Sequence, residues 1–156
     1  MEIVRLATTR HWIPTLAGWH FDHWGKLTGF ERLQDYLAAL EGWSEGREIP
    51  TVLAANQGGQ LLGSVNVLRS EMTVRPALTP WLAQLFVVPG ARRGGIGAAL
   101  TTAAIGHARA CGFSTLYLYT SGTLPRYYAR LGWAEVERVE YLGRERVVMR
   151  YVTTRP

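Results

Sequence analysis

The segment Leu85–Leu100 (LFVVPGARRGGIGAAL) constrains this chain more than any other. Trp81–Val88 is a nearly continuous apolar run, the pattern of a central strand buried on both faces. Pro89-Gly90 stops it. Two arginines and three glycines (Gly94, Gly95, Gly97) follow, and a helix over Gly95–Ala110 starts directly, closed by Gly112. A strand that turns through glycines into a helix N-terminus builds an anion site. The first-turn N–H groups have no intrahelical partner, and the positive dipole end points out with them. Side chains there would block a phosphate, so glycine suits the position. Arg92 and Arg93 add charge at the same place, and a diphosphate is the natural guest.

The chain has 156 residues and a mass of 17.4 kDa, enough for one core and too little for two. Its apolar share of 47% and charged share of 19% exclude wholesale disorder. No apolar run approaches the roughly 20 residues of a membrane span. The start, MEIVRLATTRHW, has no apolar export core. One cysteine, Cys111, excludes an internal disulfide and a thiolate metal cage. These features predict a cytoplasmic protein. The charge is divided: residues 1–80 carry a net −1 and residues 81–156 a net +6, so the positive potential accompanies the anion site.

Elsewhere the pattern predicts a strand over 2–6 and a helix from a Thr8 or Thr9 cap to about His20. A second helix is expected after Thr28, with Phe30, Leu33, Leu37 and Leu40 on one face, and a polar loop over 41–50. A hairpin follows (51–55 and 61–68, joined by Asn56-Gln57-Gly58-Gly59), then the central strand and the helix, with Ile96, Leu100, Ala103 and His107 on its stripe. A strand over 115–120, a short helix over 124–131 and a last hairpin (134–141 and 145–152) complete the order βααβββαβαββ. This is an α/β (α+β) domain with helices on a mixed, largely antiparallel sheet.

Three anion-binding motifs compete for the glycine turn. The P-loop needs a lysine after its last glycine, and none follows here. The dinucleotide fingerprint needs a third glycine, where Leu100 stands, and an acidic residue about 20 positions on, where Thr115–Tyr119 has none. The third reading is a resemblance. Arg92, Gly95 and Gly97 fill the [RQ]-x-x-G-x-[GA] signature of the GNAT superfamily of N-acetyltransferases. Downstream, Tyr128-Ala129-Arg130-Leu131-Gly132-Trp133 resembles the family's Y-x-x-x-G-F segment, with Trp133 in place of Phe. The resemblance covers about residues 50–150. Thr79-Pro80-Trp81-Leu82-Ala83, the 116–120 run and Gly132-Trp133 are more weakly similar to the branch containing the actin N-terminal acetyltransferases.

The resemblance implies the acyl-CoA N-acyltransferase fold over 1–156, with acceptor-side helices in 1–50 and an acetyl-CoA-binding core in 51–152. It implies acetyl-CoA as co-substrate and direct acetyl transfer to a primary amine of a small molecule or peptide. Arg92, Arg93, Gly94, Gly95, Ile96, Gly97 and Ala98 would hold the diphosphate. A bulge would splay the central strand so that Phe86, Val87 and Val88 pair with pantetheine. The Val87 N–H would stabilise the thioester oxygen, Tyr128 would protonate the departing sulfur, and Thr120 joins the donor site. Trp19, His20, His23, Trp24 and Gln84 would contact the acceptor. Gln84 stands near the family's frequent glutamate base and cannot take a proton, so Glu71, His20, Asp22 or His23 would serve, or a water relay. His20-x-x-His23 has no third ligand, and no metal is expected. A non-catalytic acyl-CoA sensor is the alternative. A nucleic-acid partner is not expected, since lysine patches and a reading helix are lacking. The final hairpin permits a homodimer.

Overall fold

The computed structural model describes residues 1–153. Seven strands form one sheet: β1 (Glu2–Arg5), β2 (Thr51–Gln57), β3 (Gln60–Leu68), β4 (Trp81–Val87), β5 (Thr115–Thr120), β6 (Ala134–Tyr141) and β7 (Arg144–Val152). Their spatial order is β1-β2-β3-β4-β5-β7-β6, and every neighbouring pair is antiparallel except β4 with β5. The helices are α1 (Ile13–Trp24), α2 (Leu33–Ser44), α3 (Ile96–Ala110) and α4 (Leu124–Arg130). Successive strand residues point to opposite faces. Leu53, Ala55, Val65 and Val67 accordingly join the core that includes α3, while Val52 and Ala54 join the core of α1 and α2.

The predicted order of elements holds, and the departures are local. Thr8 and Thr9 turn their hydroxyls onto the carbonyls of Arg5 and Leu6 (2.7 and 3.4 Å), within a 3-10 segment. α1 therefore begins at Ile13, with Pro14 in its first turn. It continues through the aromatic stretch to Trp24. Thr28 closes a 3-10 turn by donating to the Gly25 carbonyl (2.8 Å) instead of capping a helix. α2 starts only at Leu33 and runs to Ser44, into the stretch expected as loop. On α3 the buried stripe is Ile96, Leu100, Ala104 and Ala108, steps of four, so Ala103 and His107 lie at its margin.

Two irregularities at β4 create the site. Ser64 pairs with Phe86 but Asn66 with Ala83, so β4 carries one extra residue against β3. This bulge puts Gln84 at φ 45°. Gly63 tolerates the resulting close approach: a Cβ there would lie 2.5 Å from the Phe86 carbonyl oxygen. On its other edge β4 is in register with β5 only at Trp81–Tyr117, and beyond that pair the two parallel strands diverge.

Candidate active site

Beyond the point where β4 parts from β5, a groove of about 490 Å³ lies between the end of β4, the start of α3 and α4. Gly95 precedes the helix with φ 81°, a left-handed conformation that glycine adopts without strain. The Ala99 N–H is the first in the helix to close onto the Gly95 carbonyl (3.0 Å), which leaves the amides of Ile96, Gly97 and Ala98 without intrahelical partners. A Cβ on Gly97 would stand 3.1 Å from the Tyr127 hydroxyl, inside the same groove. Arg92 and Arg93 form its rim. Arg92 Nε donates to the Val87 carbonyl (3.0 Å), and its guanidinium carbon lies 6.0 Å from the Phe86 ring centroid.

Val87 pairs with Gly63, while the Val88 N–H bonds the Leu62 carbonyl (2.9 Å). In an antiparallel ladder this makes Val87 a non-hydrogen-bonded position, with its own N–H and C=O directed away from β3. On that side β5 has already diverged.

A second, smaller cavity of about 170 Å³ lies against the same gap. Glu71, Gln84, Tyr119, Arg146, Trp24 and Leu27 contribute to its wall. Leu85, Leu124 and Tyr128 line both cavities. Tyr128 is 7% exposed, and burial together with its neighbour Tyr127 raises its hydroxyl above the usual tyrosine value.

A buried polar chain runs from the small cavity under α1. Gln84 Nε2 donates to Glu71 Oε1 (3.1 Å), and Asn66 Nδ2 donates to Gln84 Oε1 (3.0 Å). Asn66 Nδ2 also reaches the Tyr36 hydroxyl (3.4 Å), which bonds His20 Nδ1 (2.6 Å), and His20 Nε2 bonds Ser64 Oγ (2.9 Å). Desolvation, with His23 nearby, lowers His20 to about 3 and keeps it neutral. Desolvation raises Glu71 to about 8, opposed by the Gln84 hydrogen bond.

The structure brings Phe86, Val87, Arg92, Arg93, Gly95, Ile96, Gly97, Ala98 and Tyr128 together on the large groove. Gln84 and Trp24 meet on the small cavity, where Thr120 also lies, on the opposite side of the shared wall from its expected place. Trp19, His23 and Val88 line an adjoining hollow of about 420 Å³ beside Arg92, and His23, expected against the acceptor, also lines the large groove and not the small cavity. Gly94 falls within the turn but lines neither that hollow nor the two cavities. His20 is fully buried with both ring nitrogens bonded, so it faces none of these spaces and acts inside the polar chain. Among the described residues no cluster of three His, Cys, Asp or Glu could hold a metal ion. No helix among them is long and apolar enough to cross a membrane.

Tyr127, next to the expected acid Tyr128, lines the large groove beside Gly97, and sequence reasoning gave it no part in the site. It assigned no role to Arg146 or Tyr119. A signal for Arg146 existed: period two along β7 puts it on the face of the buried Val148. Glu71, one of several base candidates, is the sole carboxylate between Glu48 and Glu135.

A family profile described as acetyltransferase (GNAT) domain matches residues 26–150. The chain belongs to this family and is a GNAT-type acetyltransferase. Solved structures share its fold. An aminoglycoside 6'-N-acetyltransferase complexed with coenzyme A superposes with a TM-score of 0.76 at 15% identity, covering 100% of this chain and 99% of that one. A ribosomal-protein-alanine N-acetyltransferase from Brucella melitensis gives 0.73 at 20% identity, covering 97% and 99%. A Salmonella typhimurium structure with its cofactor acetyl-CoA gives 0.69 at 17%, covering 100% and 95%. No curated protein matches the chain. Acetyl-CoA is the co-substrate of the family, and the residues present fit it: bare first-turn amides, a glycine at 97 where any side chain would crowd the groove beside the Tyr127 hydroxyl, and two arginines at the rim.

Proposed function

We propose that this enzyme moves the acetyl group of acetyl-CoA directly to a primary amine seated in the small cavity. The observation that carries this reading is the position of Tyr128 on the shared wall of both cavities. Bound acetyl-CoA supplies a thioester carbonyl open to a neutral amine and a sulfur leaving group. The first-turn amides of Ile96, Gly97 and Ala98, with Arg92 and Arg93, bind the diphosphate. The Val87 N–H, free of β3, presents a donor for the thioester oxygen. Glu71 takes the proton of the incoming ammonium, and its value of about 8 matches that task near neutral pH. Gln84 holds the carboxyl of Glu71 in place. Tyr128, protonated throughout the working range, donates to the departing sulfur, whose own value as a thiol is about 8.5, and recovers its proton from the nitrogen as the amide forms. Phe86, Val87 and Val88 carry the pantetheine arm, and Trp24 and Gln84 bound the acceptor. The cytoplasm, where acetyl-CoA is available and a lone Cys111 stays reduced, is the compartment this reading assigns.

Calorimetric titration with acetyl-CoA tests it. The wild type should bind in the micromolar range and Gly97→Val at least tenfold more weakly. Absence of binding to the wild type at millimolar acetyl-CoA would overturn the reading.

A further inference from the structure

Arg146 is 6% exposed and makes no ion pair among the described residues. Buried arginines are ordinarily matched by a carboxylate, because desolvating an unpaired charge is costly. Here Nε donates to the Tyr141 carbonyl (3.1 Å), and the guanidinium carbon lies 5.7 Å from the Tyr119 ring centroid. Neither contact neutralises the charge. The side chain contributes to the wall of the small cavity, and so does Glu71. These two groups of opposite sign do not pair with each other: the hydrogen-bond partner of Glu71 is Gln84.

Resting on the acetyl-transfer reading above, we propose that the acceptor is a compact zwitterion, a free amino acid, with its amine toward Glu71 and its carboxylate held by Arg146. An amine meets the acid it must give its proton to, and a carboxylate supplies the partner that Arg146 lacks. A guanidinium accepts a carboxylate through two parallel N–H donors, which also orients the molecule. The volume of about 170 Å³ is below the usual range of small-molecule pockets, roughly 300–1,000 Å³, and suits an amino acid better than an oligosaccharide. Polycationic acceptors would meet repulsion from Arg146. A peptide amino terminus would bring no carboxylate next to its amine.

The test is a thiol-release assay with acetyl-CoA and the twenty L-amino acids, each compared with its α-amide, alongside spermidine and kanamycin. At least one amino acid should be acetylated with kcat/KM tenfold or more above its amide. Arg146→Gln should abolish that preference by raising KM for the acid, with the amide little changed, and Arg146→Lys should restore part of it. Thermal unfolding gives a second readout: the preferred amino acid should raise Tm of the wild type and not of Arg146→Gln. The acid-to-amide ratio of the wild type decides the matter even if a variant folds poorly. Equal use of amide and acid, or preference for spermidine or kanamycin, would overturn the proposal. So would acetyl-CoA binding with no amino acid acetylated. If acetyl-CoA itself fails to bind, the acetyl-transfer reading falls first, and calorimetry separates that result from the others.

Discussion

Gln84 Nε2 donates to Glu71 Oε1 across 3.1 Å, on the wall of the small cavity. Gln84 reaches Glu71 from the bulge in β4, where its φ of 45° turns the strand. A residue that cannot accept a proton thereby holds one that can, and Asn66 holds it in turn at 3.0 Å.

Glu71→Gln should lower kcat at least a hundredfold while leaving acetyl-CoA binding unchanged. In the wild type kcat/KM should climb with pH to a plateau above about 8, where Glu71 is ionised. The variant should lack that limb. The same group has a stability signature. Its folded value of about 8 exceeds the ordinary 4.5, so between these values the native chain holds the extra proton. Stability from Glu71 is full below about 4.5 and is lost as pH rises toward 8. Denaturant unfolding should show this decline in the wild type between about pH 6.5 and 8, above the range in which His20 contributes, and a flatter course there in Glu71→Gln.

Tyr128→Phe should reduce kcat by ten- to a hundredfold with little change in acetyl-CoA affinity, since only the proton donor is removed. Stability should hold within about 1 kcal/mol, because the ring keeps its packing against Trp133 (centroids 6.0 Å apart). Stopped-flow thiol release and calorimetry separate the two quantities.

Gly63→Ala should cost stability. The added methyl would meet the Phe86 carbonyl oxygen at 2.5 Å, in backbone that cannot swing aside as a side chain does. A loss of about 1–3 kcal/mol by chemical denaturation is expected. Acetyl-CoA affinity should fall as well, because the displaced backbone is that of Phe86 and Val87.

His20 predicts an acid limb in stability. Its folded value of about 3 lies below the ordinary 6.5, so between them the unfolded chain binds the extra proton. Stability is full above about 6.5 and is lost as pH falls toward 3. In unfolding free energies measured from pH 7 to 4 the wild type should lose stability relative to His20→Asn; the difference between the two is the readout, because the opposing Glu71 contribution is common to both.

The proposed donor side of the site is legible in sequence because its parts are contiguous. Leu85–Leu100 contains the strand end, the arginines, the glycines and the first helical turn, and each has a local physical role. The helix starts near Thr9 and Thr28 were misplaced for the opposite reason. Hydroxyl residues satisfy a 3-10 turn as well as an α-helical cap, and tertiary packing chose between them. His20 read as part of an aromatic acceptor wall. Its burial on the inner face of α1 depends on Tyr36 and Ser64, which only folding brings to it.

By itself the sequence determined the order of elements, the glycine turn into the helix N-terminus at Gly95–Ala98 and the strand carrying Val87, since turn chemistry and side-chain periodicity act over a few neighbouring residues. The tertiary structure alone decided which charged groups line the small cavity together. Glu71 follows β3 and Arg146 sits on β7, on opposite sides of the β4–β5 gap in the order of the sheet. Their meeting depends on strand register and on the divergence of β4 from β5, which are properties of the assembled sheet and leave no local mark in the chain.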